Sequence, residues 1–109
     1  MESVALLRLV SESTRHAILS ALRRGPCTVG ELVAAIGGEQ SNVSHHLRHL
    51  RHAGLLVATK RGREQTYRLS DDEIGDILSR VENLGAKLDA VAYQAAVGIP
   101  TDAAFHGYG

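Results

Sequence analysis

The chain has 109 residues, a length that one domain fills, and 44% of them are hydrophobic but only 4% aromatic with no Trp, so any core is small and built of Leu, Val, Ile and Ala. Twelve Lys/Arg balance twelve Asp/Glu, and a net charge of zero argues against a nucleic-acid partner until the charges are located along the chain. The single cysteine, Cys27, excludes an internal disulfide framework and fits a reducing cytoplasm, the start Met1-Glu2-Ser3-Val4 lacks the basic region of a signal peptide, and no apolar run approaches the ~18 residues of a membrane span.

Residues 3–10 (SVALLRLV) read as a short helix with apolar residues on more than one side, so it must be covered by the domain or by a second chain. Residues 14–24 form the next helix, with Ala17, Ile18, Ala21 and Leu22 as its apolar stripe, and Gly25-Pro26 ends it. Thr28-Val29-Gly30-Glu31 is a capping box that opens a short helix with Leu32, Val33 and Ile36 turned inward. Gly37-Gly38 makes the turn into the fourth helix, residues 41–53, with Gly54 just past its end. Two short helices joined by a tight glycine turn make a helix-turn-helix arrangement. Residues 55–69 then alternate as strands, predicting a β-hairpin with its tip at Lys60-Arg61-Gly62-Arg63. Ser70-Asp71-Asp72-Glu73 has the pattern of a second capping box. The helix it opens carries Ile74, Ile77, Leu78, Val81, Leu84, Leu88, Val91, Ala92 and Ala95 at steps of three and four, and Gly98-Ile99-Pro100 ends it. Residues 1–97 are therefore read as the domain and 98–109 as a flexible tail.

Two surfaces follow from this patterning. At about 100° per residue, Val43, Leu47 and Leu50 share one side of the 41–53 helix, while Ser41, Ser44, His45, Arg48 and His52 share the other, with Arg51 at its edge and no carboxylate among them. Residues 1–69 hold ten Lys/Arg and five Asp/Glu, residues 70–109 two and seven, and between 41 and 69 six cations meet a single acid, Glu64. Short polar groups that approach base edges, followed by cations that meet phosphates, suit a helix in a DNA major groove, with the cationic hairpin tip on the backbone or minor groove beside it. The last helix is longer than a small domain covers, which predicts pairing with its twofold mate and with the 3–10 helix; Leu6, Leu9, Ile77, Val81, Leu84 and Leu88 are the expected interface residues. Its polar face is acidic and is expected to point away from DNA.

The runs SESTRHAILSALRRGPCTVGELVAAIG, QSNVSHHLRHLRHAGLL and RGREQTYRLS, in that order, resemble the ArsR/SmtB family of bacterial winged-helix repressors over residues 5–90. The resemblance implies a mainly α fold with a small β-hairpin, a winged helix-turn-helix of α-α-α-α-β-β-α order, dimeric through its first and last helices. It implies that Gln40, Ser41, Asn42, Ser44 and His45 contact bases and phosphates of an operator, with Arg48 and the wing residues Lys60, Arg61 and Arg63 on the backbone. Members of the family usually release their promoter when a metal ion or another effector binds.

The metal-binding patterns of that family fit this chain poorly. The helix before the recognition helix reads GELVAAIG, without the C-x-C of one site. The last-helix site would begin at Asp71-Asp72-Glu73 and continue at Leu84 and Lys87, neither of them a ligand. A dimer offers only Cys27 and its mate as thiols, so a metal, if one is sensed, belongs to the nickel or zinc class with N/O ligands. His45, His49 and His52 stand at ligand spacing, but on the DNA face; His46 reads as half-buried, His16 as a surface residue and His106 as part of the tail. The ligand set stays unassigned. A non-metal effector, a protein partner, or a winged-helix module for protein contact are the alternatives. An enzyme is not expected: there is no Gly-rich phosphate loop, no carboxylate pair in an apolar setting and no nucleophile beside a base.

Overall fold

The computed structural model describes residues 1–98. Helix α1 (Ser3–Ser11) and helix α2 (Ser13–Leu22) are separated by Glu12 alone, whose backbone is extended (φ −64°, ψ 134°). The Glu12 carboxylate accepts the N–H groups of Thr14 and Arg15 and so caps α2. Arg15 reaches the other way, its Nε donating to the Leu9 carbonyl at 2.6 Å, one of the acceptors that the end of α1 leaves open. Each helix is thus closed by a side chain of the same joint.

After α2 come a two-residue strand β1 (Cys27–Thr28), α3 (Val29–Ile36) and α4 (Gln40–His52). The capping box at Thr28 forms as expected: its Oγ1 accepts from the Glu31 amide at 3.1 Å, and Glu31 Oε1 accepts from the Thr28 amide at 2.9 Å. Gly54, one residue beyond the Ala53 cap of α4, has φ +90°, a left-handed conformation that a side chain resists.

Strands β2 (Leu56–Arg61) and β3 (Glu64–Leu69) are antiparallel with Arg61 opposite Glu64, so the loop is only Gly62-Arg63. Gly62 takes φ +61° at the first turn position, as a two-residue hairpin of this hand requires. Lys60 and Arg61, expected at the tip, are therefore ladder residues of β2. The sheet also has a third strand that periodicity missed. β1 pairs with β3, Cys27 opposite Tyr67 and Thr28 opposite Thr66, giving the order β1-β3-β2. Two residues show no alternation; this strand exists because β3 offers it an edge.

The last helix, α5, spans Asp72–Ala96. Its cap differs from the expected box. Asp71 Oδ1 accepts the Glu73 amide at 2.8 Å, while Ser70 Oγ donates to the Gly54 carbonyl at 2.7 Å and its amide to the Leu55 carbonyl at 2.9 Å. Ser70 fastens the end of the hairpin to the end of α4 instead of capping α5.

Contacts divide the chain into two compact units, Met1–Gly75 and a second from Asp76 onward. The first holds the core: Leu9, Ile18, Leu19, Leu22, Leu32, Val43, Leu47, Leu50, Leu55 and Leu56 are buried, and six of these sit at or below 1% exposure. Leu9, expected at a dimer interface, belongs to this core at 8% exposure, because α1 folds back along α2 and takes that side of the helix inward. Val4, Leu6 and Leu7 remain exposed on α1. In the second unit Leu78 is buried, while Ile77, Val81, Leu84 and Leu88 are each about half exposed. Of the residues expected in a tail, only Gly98 lies within the described residues; His106 and Asp102 lie outside them.

Leu47 is fully buried where α4 meets α2, α3 and β2. Leu47→Ala is expected to lower unfolding free energy by about 2–5 kcal/mol, read as a fall in the urea midpoint with an unchanged slope.

Candidate nucleic-acid interface

Three leucine-and-valine contacts orient α4. Val43 is 1% exposed and Leu47 and Leu50 are 0% exposed, so the side of the helix opposite them is fixed toward solvent. Ser41, Asn42, His45, Arg48, His49, Arg51 and His52 are exposed, as is Gln40 in the first turn. Ser44 is half-buried at the flank, a position for close approach rather than for the centre of a contact surface. The Glu39 cap position makes no side-chain hydrogen bond to the helix, so the first-turn amides of α4 have no side-chain acceptor from it. Beside this end lies a shallow pocket of about 270 Å³ whose wall includes Ser13, Thr14, Gly37, Gly38 and Asn42. The N-terminal half of α4 is a surface of hydroxyl, amide and free N–H donors, and its C-terminal half is cationic or imidazole.

His46 is the inward histidine, as its place near the apolar side suggested. Its side chain is 14% exposed, and its Nδ1 lies 3.9 Å from Glu12 Oε2 without a hydrogen-bond partner. Glu12 is held below its ordinary carboxylate value, first by the Arg15 amide; burial opposes this, and the Thr14 amide and the nearby charges of His46 and Arg15 add to it. The joint between α1 and α2 therefore also abuts the helix that carries the candidate contact face. The sequence contains no signal for that contact.

The wing supplies the second part of the surface. Lys60, Arg61 and Arg63 are all exposed. Lys60 stands opposite Gln65 in the ladder and Arg61 opposite Glu64, and no ion pair holds Arg61 or Arg63 among the described residues. Gly62 allows the turn to be short, which keeps Lys60 and Arg61 on the ladder and Arg63 in a two-residue turn beside them.

Metal-ligating groups are dispersed. No cluster of three or more His, Cys, Asp or Glu residues is placed to hold a metal ion among the described residues. Cys27 is half-buried, its thiol lies 3.6 Å from the Gly25 carbonyl, and burial together with the charge of Glu31 pushes it up, away from the thiolate that binds soft metals. His16 is half-buried on α2 rather than fully on the surface.

Residues 12–57 match a protein family described as bacterial regulatory protein, arsR family. The chain is 40% identical over 105 residues to the HTH-type transcriptional regulator CmtR of Mycobacterium tuberculosis, an alignment covering 90% of this chain and 89% of that protein. Among solved structures it is similar to Rv0081 of M. tuberculosis, with a TM-score of 0.76 and 27% identity over 81% of this chain and 89% of the other. It is also similar to the cadmium metal-sensor CmtR of M. tuberculosis, with a TM-score of 0.61 and 44% identity over 69% of this chain and 78% of that one.

If Arg48 and Arg63 meet phosphates, Arg48→Ala and Arg63→Ala should each weaken DNA binding across sequences. Each should also flatten the plot of log affinity against log salt by about 0.9 for every protomer bound, about 1.8 where two protomers grip the duplex. An unchanged slope in fluorescence anisotropy titrations over a salt series would place that residue off the backbone.

Proposed function

The chain belongs to the ArsR family of bacterial transcriptional regulators, and on that premise we propose that it is a homodimeric, metal-responsive regulator that reads an operator with α4 and grips its backbone with the β2–β3 wing. The observation that carries the reading is the α4 face. Three buried apolar residues turn outward a surface with no carboxylate between Glu39 and Glu64, and the exposed wing cations are added to it. A protein-contact module of the same fold would be expected to mix charge signs here. Gln40, Ser41, Asn42 and His45 are the groups for base edges and Arg48, Lys60, Arg61 and Arg63 those for phosphate. Ser44, half-buried, serves close approach.

A dimer is supported by the exposed apolar residues. Ile77, Val81, Leu84 and Leu88 follow steps of four, three and four, so they form one stripe along α5, and Val4, Leu6 and Leu7 leave α1 with an uncovered apolar side. Such stripes are costly in water and are covered by a second copy in a protein of this size. Leu84→Glu should convert the dimer to monomer in sedimentation at micromolar concentration; an intact dimer would refute this interface.

The effector reading is a metal ion of the nickel or zinc class. CmtR is a cadmium sensor by description, but this chain has one cysteine, half-buried and disfavoured as thiolate, and six histidines. That donor set suits N/O coordination of Ni(II) or Zn(II). The usual last-helix arrangement is degenerate, since Leu84 and Lys87 stand where ligands would be needed. Calorimetric titration of the full chain with Ni(II) and with Zn(II), in the presence and absence of promoter DNA, tests the reading. Binding that weakens when DNA is present establishes a linked sensor, since coupling between two sites is reciprocal. Binding indifferent to DNA, or none, overturns the metal response and leaves a regulator answering to another effector or to a protein partner.

A further inference from the structure

Three of the four histidines of α4 face the same way. His45, His49 and His52 fall within a sector of about 60° on the helix, on the side away from Val43, Leu47 and Leu50. All three are exposed, and they span about 10 Å of the axis. Arg48 flanks that sector and Arg51 lies at the edge of the face. None of the three imidazoles is paired with a carboxylate among the described residues. His45 has one ring neighbour, His46, at a centroid distance of 5.7 Å in an edge-on arrangement.

The charged and titratable groups on the elements packed against α4 are Glu12, Arg15 and His16 with α2, Glu31 on α3, and Lys60 and Arg61 on β2, with Glu39 at the cap of α4 itself. Of the three carboxylates named, Glu39 stands before the first turn of α4, six residues ahead of His45 and on the angular side of Val43, and the other two are committed elsewhere. Glu12 caps α2 and lies beside His46, and Glu31 is closed in its capping box with Thr28. What faces the three outward imidazoles is cationic or neutral. Bound DNA would replace solvent with phosphate anions, which favour the protonated form of an imidazole beside them.

We propose that His45, His49 and His52 form a proton-linked part of the DNA contact, taking up protons when α4 meets the duplex, so that affinity rises as pH falls. The inference rests on the DNA-binding reading of the same face and adds His49 and His52 to it. Imidazole is the side chain whose charge changes between about pH 5 and 8. A group that gains an anionic partner in the complex is easier to protonate there than in the free protein. The complex is therefore favoured below that range and loses the contribution as pH rises through it. By linkage, the slope of log affinity against pH equals the number of protons taken up. A dimer would present six such imidazoles, so even partial uptake gives a steep response.

The test is fluorescence anisotropy of a labelled mixed-sequence duplex with the full chain, at constant ionic strength, between pH 6 and pH 8. Calorimetry in two buffers of different ionisation heat counts the protons. The expected result is binding about tenfold or more tighter at pH 6 than at pH 8, with proton uptake and a steeper salt dependence at the lower pH. The variant H45Q/H49Q/H52Q, which keeps polar helix-compatible side chains on an exposed face, should show a nearly flat pH response and an unchanged thermal unfolding midpoint. It retains His16, His46 and Glu12, so a wild-type slope surviving in it would assign the protons to those groups and overturn the inference. Binding by the wild type with no pH dependence would overturn it as well, leaving the regulator reading intact. No binding at any pH would overturn both.

Discussion

The burial of Val43, Leu47 and Leu50 is the constraint from which the rest of the first unit follows. With all three at or below 1% exposure, α4 cannot rotate about its axis without bringing apolar surface into water, at a cost on the order of 2 kcal/mol for each side chain exposed. α2, α3 and β2 supply the other half of that contact. Because side chains on a helix are fixed in angle relative to one another, holding one side inward also aims Ser41, Asn42, His45 and Arg48 outward. The packing of the core and the aim of the contact surface are one structural fact.

Around α4 the connections are short and closed by side chains. Glu12 and Arg15 close the ends of α1 and α2 at a one-residue joint, Thr28 and Glu31 close the start of α3, and Ser70 ties the hairpin to the Gly54 carbonyl beyond α4. The short strand β1 carries β3, and through β3 the wing, against the helical body. His46 beside Glu12 brings the α1–α2 joint against α4.

Charge is distributed in the same sense. A net charge of zero conceals a segment from 41 to 69 with six cations and one acid, balanced by an acidic last third. For a protein that binds a polyanion this lets attraction be local, steering one surface toward DNA without making the whole chain cationic. The exposed apolar residues of α1 and α5 lie apart from this cationic segment and belong to the proposed dimer contact.

Local patterns in the sequence determined the helices, the Thr28 capping box, the hairpin and the inward triplet of α4, since each depends on residues within about one or two turns of one another. The outward face of α4 was legible for the same reason: its position follows from periodicity once the inward face is known. Where partners are distant in sequence, local pattern was silent or misleading. Ser70 reads as a helix cap but bonds Gly54, sixteen residues away. Cys27-Thr28 reads as loop but becomes a strand beside Tyr67 and Thr66. Leu9 looks like interface but is core, because α1 turns back on α2. Glu12 caps α2 and also sits beside His46, neither of which was read from the sequence. The sequence by itself determined which surfaces are apolar, which cationic, and on which element each lies. Only the tertiary structure decided which of those groups are already occupied by the chain's own neighbours, because occupancy depends on contacts between segments that no local period encodes.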